Sequence, residues 1–267
     1  MLCFRIWDTS RRPMSHGISN VRPRTAVIAC AVLETEIAHF ARGMSHISRV
    51  EVLEQGLHNQ PDVLRAKLQV AIDRVEAETD VEVIVLGYGL CSRGTEGVRT
   101  SRCRLVIARA HDCITHLLGD KDRYARYVAG RPGTYWYSPG WNKHTPMPGK
   151  ERHEKLHRKY TEEYGEDNAQ FLMDTEQHWF KTYNNAAFVH LGVGDIEKEW
   201  QYTQQCAAWL GWRCDHQCGD PALLKDLLTG PWDDRRFLVL APKETFRMTA
   251  DDRVIAKENN RVAVHQT

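Results

Sequence analysis

Three short, almost wholly apolar runs punctuate the first half of the chain: Thr25-Ala-Val-Ile-Ala-Cys30, Val81-Glu-Val-Ile-Val-Leu86 and Arg104-Leu-Val-Ile-Ala108. Runs of this length read as strands, and their nearly continuous apolar character predicts burial on both faces. Each precedes a segment with helical character. Residues 31–40 follow the first run; the glycine-punctuated turn Gly87-Tyr-Gly-Leu-Cys91-Ser-Arg-Gly94 is expected to open a short helix after the second; residues 114–119 follow the third. Between them, residues 47–53 read as an edge strand. Residues 61–78 read as a helix with Pro61 in its first turn and Leu64, Leu68, Ala71, Ile72 and Val75 at core spacing.

The second half is less regular. Tyr135-Trp-Tyr-Ser-Pro-Gly-Trp141 predicts a strand leading into an ordered loop. Residues 150–181 are strongly charged and predict a solvated helical hairpin broken near Gly165. Strands are then expected at 187–193, 211–218 and 236–242, with helices at 196–209 and 221–228. This alternation predicts an α/β fold, a mostly parallel sheet with helices on both faces (Rossmann-like) and an inserted charged helical hairpin. It divides the chain into an N-terminal extension (1–24), a single α/β domain (25–245, with the insertion at about 150–181) and a C-terminal tail (246–267).

Charge narrows the function classes. Lys+Arg of 36 against Asp+Glu of 35 gives almost no net charge, which disfavours nucleic acid or an anionic membrane as partner. The apolar runs are strand-sized, so no membrane span is expected. With no secretory leader evident, the eight cysteines are expected to be reduced in a cytoplasmic protein.

Cys30, Cys91 and Cys113 each fall just past one of the three apolar strands. In parallel sheets the loops after the carboxyl ends of the strands share one edge, where ligands usually bind. A cysteine at a helix N-terminus gains thiolate character, and thiolates gathered on one edge call for a cation. Cys30, Cys91 and Cys113 are therefore the candidate metal ligands. Three ligands leave one coordination position open, as in catalytic zinc sites, and the same count holds a [4Fe–4S] cluster with one iron free. The competing reading takes all three as small buried hydrophobes.

Around them, His111, Asp112 and His58 are candidate proton-handling groups. Arg93, Arg109, Tyr88 and Trp141 are candidate substrate contacts, the arginines for a carboxylate or phosphate. Trp136 and Tyr137 could help wall the same pocket. Cys214-Asp-His-Gln-Cys218 lacks a second matching pair and is a weak metal motif; Cys206 and Cys103 read as core, and Cys3 lies in the extension. Gly192-Val-Gly194 is too short for a dinucleotide fingerprint.

Taken together, Ile28-Ala-Cys30 with Leu33-Glu34, Leu57-His58 with Pro61, Tyr88-Gly-Leu-Cys91-Ser, Arg109-Ala-His-Asp-Cys113, Tyr135 to Trp141, Leu210-Gly211-Trp212 and Leu228-Thr-Gly230 resemble the family called domain of unknown function 1638, over about residues 25–245. Ala241-Pro242-Lys243 departs from it where a glycine is expected after the proline. The resemblance implies a link to corrinoid-dependent methyl transfer in one-carbon and methylated-amine metabolism. The expected function is a metal–thiolate enzyme, or an accessory to one, acting on a small molecule. The alternatives are a non-catalytic module delivering a metal or corrinoid to a partner methyltransferase, and a structural α/β protein. The Asp-x-His-x-x-Gly motif of base-off corrinoid domains is absent.

Overall fold

The computed structural model describes residues 22–258; most of the N-terminal extension, with Cys3, and residues 259–267 of the tail lie outside them. The first strand, β1 (Thr25–Cys30), passes through a turn of 3-10 helix at Ala31–Leu33 into α1 (Glu34–Ala41), and β2 (Ile47–Leu53) leads to α2 (Pro61–Glu78). Next come β3 (Val83–Gly87) and β4 (Arg104–Ala108), then α3 (Cys113–Leu118) and α4 (Lys121–Gly130). The hydrogen-bonded order is β2-β1-β3-β4, all parallel, so the strands that precede Cys30, Cys91 and Cys113 are immediate neighbours. β1 and β3 are buried at every residue, as their unbroken apolar sequence requires.

The crossover from β3 to β4 contains no helix. Instead, the segment is laced onto α2 by side chains that satisfy its backbone. The Glu76 carboxylate accepts from the amides of Ser101, Arg102 and Cys103 at 2.7–2.8 Å. Arg65 donates to the carbonyls of Glu96 and Arg93, and Gln69 to that of Arg99. Buried backbone groups need partners, and here side chains provide what a helix would have provided.

A second sheet is built by β5 (Thr134–Tyr137), β6 and β7. Between β5 and β6 run α5 (Pro139–His144), α6 (Lys150–Tyr164) and α7 (Glu166–Gln177), the last two forming the expected charged hairpin broken at Gly165. β6 (Asn185–His190), α8 (Ile196–Leu210) and β7 (Arg213–Cys218) complete it, with parallel order β5-β6-β7. Its core gathers Tyr137, Met147, Phe188, Cys206 and Ala207, apart from the main core. The expectation of one sheet is thus corrected: the aromatic strand at 134–137 pairs with 185–190 rather than joining the first sheet. The sheets meet at α3, where Gly219 packs so closely that a Cβ would lie 2.1 Å from the Leu117 carbonyl oxygen.

After β7, α9 (Ala222–Thr229) covers the first sheet and β8 (Phe237–Leu240) joins it antiparallel beside β4. The stretch read as a tail contains a hairpin, β9 (Phe246–Met248) with β10 (Ile255–Lys257), whose Phe246 and Ile255 are fully buried. Arg109 holds it: Nε donates to the Asp234 carbonyl at 2.7 Å, Nη2 to the Asp234 carboxylate at 2.8 Å and Nη1 to the Ile255 carbonyl. Arg109→Met should cost about 3 kcal/mol in urea unfolding, because buried carbonyls lose charged donors. Faster amide exchange in β9 and β10 than elsewhere would accompany it, and uniform exchange would contradict the assignment. No helix among the described residues is long and apolar enough to cross a membrane.

Candidate metal and thiol site

Beyond strand adjacency, two close backbone approaches shape the loops that carry the cysteines. Gly89 lets the loop after β3 lie on the loop after β4, since a Cβ there would sit 2.6 Å from the Asp112 nitrogen. The two loops are zipped by Leu90 N–H to the Ala110 carbonyl at 2.8 Å and Cys91 N–H to the His111 carbonyl at 2.9 Å. On the other side, Gly140 of α5 presses on the turn after Cys30, where a Cβ would be 1.9 Å from the Val32 oxygen.

Cys91 does not start a helix, which corrects the expectation for that loop. Cys91, Ser92 and Arg93 all adopt left-handed backbone, with φ of 48°, 56° and 66°. Side-chain-bearing residues in this region cost of order 1–3 kcal/mol each, and such strain persists where surrounding structure enforces it. Here Gly94 wedges against Leu64 of α2 and the Thr95 hydroxyl donates to the Gly89 carbonyl at 3.1 Å. Cys30 stands at the N-cap of the 3-10 turn and Cys113 is the first residue of α3, so two of the three cysteines occupy helix starts.

Cys113 interacts with both Cys30 and Cys91, which places the three thiols in one neighbourhood. All are buried, at 5–7% exposure. Their polarity is unequal. The Cys113 hydrogen bond holds the Cys30 thiol below its ordinary range against the opposing effect of burial, with help from the Val32 and Ala31 amides. Cys113 is pushed well up by its hydrogen bonds to Cys30 and Cys91 and by burial. Cys30 thus carries the thiolate character and Cys113 keeps the proton.

Tyr88 lies beside them, 2% exposed, and its hydroxyl has no hydrogen-bond partner. Burial, and then the charges of Cys30, Cys113 and Cys91, hold its phenol strongly protonated. A small-hydrophobe role would account for buried cysteines; it does not account for an unpartnered phenol beside them and two amides directed at the Cys30 sulfur.

The Asp112 carboxylate caps α3 through the Ile114 and Thr115 amides at 3.0 and 3.2 Å and accepts from the Tyr124 hydroxyl at 2.9 Å. Burial raises its pKa, opposed by those hydrogen bonds. His58 follows the left-handed Gly56, and its ring meets Trp141 edge-on at 5.8 Å. Burial lowers its pKa and the Asp112 charge counteracts this. Trp141 Nε1 is buried without a partner. His111 is exposed, 6.4 Å from the Tyr124 ring. The structure does not bring the two arginines into the group: Arg109 is spent on the hairpin, and Arg93 lies at the surface, bound to Glu96 at 3.0 Å. Trp136 stacks on Tyr124 and Tyr137 belongs to the second core.

A second cluster was beyond the sequence reading. His190, His216 and Cys218 offer ligand atoms that all lie within 4.8 Å of one another, a possible three-residue metal-binding group. In sequence Cys218 belongs only to Cys214-Asp-His-Gln-Cys218, which lacks a second pair; the fold places His190 directly opposite Cys218 in the β6–β7 register. Cys218 is disulfide-bonded in this structure. Cys103 and Cys206 are buried and structural, the former donating to the Val81 carbonyl at 3.0 Å.

A family model described as "Protein of unknown function (DUF1638)" matches residues 52–228, which include Cys91, Cys113, His58, His190 and His216 and leave Cys30 outside. No curated protein and no solved structure matches the chain.

Proposed function

For this chain, which belongs to the family described as protein of unknown function (DUF1638), we propose a metal–thiolate protein acting on a small molecule, with Cys30, Cys91 and Cys113 as the ligands. What supports this reading is that Cys30, Cys91 and Cys113 follow three adjacent strands and that Cys113 interacts with both of the others, beside an unpartnered Tyr88 hydroxyl. The donor set suits a thiophilic cation: three sulfurs take zinc or the irons of a cluster, and three rather than four leave a place for a substrate atom. When bound, such a metal would supply Lewis acidity, or electron transfer if it is an iron–sulfur cluster.

The chain's own residues would prepare that chemistry. The Ala31 and Val32 amides favour the Cys30 thiolate, and the strained turn at 91–93 holds Cys91 beside Cys113. His58 stays neutral near neutrality because burial disfavours its cation, so it can accept a proton from a bound molecule. Asp112 orients α3 and lends His58 a compensating charge. Trp141 closes one wall. Methylated amines, alone or with a corrinoid, are the first ligands to try, following the methyl-transfer link that the family resemblance implied.

The test is elemental and sulfide analysis of anaerobically purified protein beside Cys91→Ser and Cys113→Ser variants. The wild type should carry stoichiometric zinc, or iron with sulfide, and each variant should lose it while keeping its far-ultraviolet circular dichroism. Metal-free wild-type protein, or variants with undiminished metal, would overturn the proposal.

A further inference from the structure

We propose that the outer edge of β2, with the flank of α2 above it, is a self-association surface: a second copy of this chain pairs its β2 antiparallel to this one about a two-fold axis at Val50, joining the two first sheets. The surface shares no residue with the Cys30, Cys91 and Cys113 group, so either reading can fail without the other. β2 ends the order β2-β1-β3-β4-β8, and among the described residues its strand partner is β1 alone. The opposite edge, β8, lies against β10. An open edge presents a row of unpaired backbone donors and acceptors, a template for another strand. A register shift marks the start of β2, but Arg49–Leu53 run regularly along β1 with neither glycine nor proline.

Exposed apolar side chains gather at this edge. Of the nine large apolar side chains that are exposed among the described residues, four lie here: Val50 (44%) and Val52 (36%) on β2, Val63 (38%) and Val70 (60%) on α2. The two flanks of α2 are told apart by what they touch. Arg65, Gln69 and Glu76 reach the crossover between β3 and β4, whereas Lys67 and Arg74 pair with Glu54 and Glu51 at the β2 side. Val63, Lys67, Val70 and Arg74 follow one another at helical spacing, so both valines stand on the β2 side. Joining two β2 edges with their faces matched brings the two α2 flanks together over the joint. It covers Val50 and Val52 on the other face.

The charges identify the occupant as a second copy and select its register. Opposed residues of an antiparallel pair lie on the same face of the sheet. With the axis at Val50, Arg49 of each copy meets the partner's Glu51, and Val50 meets its own counterpart. The neighbouring registers that keep the faces matched move the axis to Arg49 or to Glu51 and set like charges against each other. Within the chain, Arg49 donates to Glu51 at 3.1 Å and to Glu78 at 2.6 Å, and Arg74 also pairs with Glu51. A guanidinium has about five N–H donors and a carboxylate about four acceptor positions, so the cross-copy pairs extend this network without breaking it. An antiparallel joint also sends the carboxyl ends of the two parallel sheets, and with them the two thiol groups, to opposite ends of the dimer.

Sedimentation equilibrium of the full chain at micromolar concentration tests this. Wild type should have twice the mass of the chain. Val50→Lys and Val50→Glu, each setting like charges at the axis, should both have the mass of one chain and keep the wild-type circular dichroism. Their equimolar mixture should regain the dimer, because the introduced ammonium then faces the introduced carboxylate. Val70→Lys, at an exposed helix position, should weaken association at least roughly tenfold without altering the strand. A monomeric wild type, or a Val50→Lys protein that stays dimeric, would overturn the surface. A mixture that stays monomeric would overturn the axis at Val50, and undiminished association in Val70→Lys would remove α2 from the interface.

Discussion

Alanine in place of Gly89 should separate Cys91 from Cys113 and cost about 3 kcal/mol of stability. The added methyl would lie 2.6 Å from the Asp112 nitrogen, 2.8 Å from its Cα and 2.9 Å from the Ala110 oxygen. All three are backbone atoms, which cannot rotate aside as a flexible side chain would. The loops must part, lengthening the Leu90–Ala110 and Cys91–His111 hydrogen bonds of 2.8 and 2.9 Å. Two weakened hydrogen bonds at roughly 0.5–1.5 kcal/mol each, added to an overpacking cost of about 1–3 kcal/mol, give that figure. Metal carried by the three cysteines should fall with it, because moving either loop by an ångström spoils a ligand set. Gly130→Ala is the control. It closes α4 with nothing within 4 Å of the added atom, so alanine there should be neutral or stabilise by a few tenths of a kcal/mol. Urea unfolding and metal content measured on both variants decide the matter; a Gly89→Ala protein that matches wild type in both would show that the loop contact does not position the thiols.

That prediction depends on a contact no sequence pattern announces, and the boundary of what the sequence announced is instructive. Elements with strong local signals came through: α2 begins at Pro61 and ends at Glu78, and β2 is an edge strand with its alternating burial. The placement of Cys30, Cys91 and Cys113 past three strands was also legible, because it needs only the end of each apolar run. Their adjacency was not, since strand order depends on which crossovers pack. The loop after β3 departs from its sequence expectation for a physical reason. A helix was expected from Gly87 to Gly94, but Arg65, Gln69 and Glu76 of α2 satisfy the crossover backbone directly and allow Cys91, Ser92 and Arg93 their left-handed turn.

The same limit explains Arg109 and His190. Beside Cys113 in sequence, Arg109 reads as a substrate contact, yet its guanidinium turns toward Asp234 and Ile255, more than a hundred residues away. His190 had no local motif because its partners, His216 and Cys218, are supplied by the register of a neighbouring strand. Residues recruited by long-range pairing lie outside what spacing can reveal.

Glu36 offers a sharper case of a residue whose importance only burial exposes. It lies in α1 with no exposed surface, and neither carboxylate oxygen has a hydrogen-bond partner. Burial raises its pKa to about 7, with only partial relief from its own backbone amide and the charge of Lys143. In the unfolded chain the carboxyl titrates near its ordinary value, so between about pH 4.5 and 7 the unfolded state releases a proton that the folded state retains. A folded pKa above the unfolded one means that stability is greatest below about pH 4.5, declines as pH rises to about 7 and then stays low. A shift of this size corresponds to roughly 3 kcal/mol lost at pH 8 relative to the protonated state. Glu36→Met, similar in volume and unable to ionise, should therefore exceed wild type by about 2–3 kcal/mol in urea unfolding at pH 8. The gap should close toward pH 5. Glu36→Gln should also flatten the pH dependence while keeping the unpaired polar atoms, placing its stability at pH 8 between the other two. A constant offset between wild type and Glu36→Met across pH 5–8 would mean that the carboxyl is ionised throughout, which would require a charge partner beyond the groups now facing it.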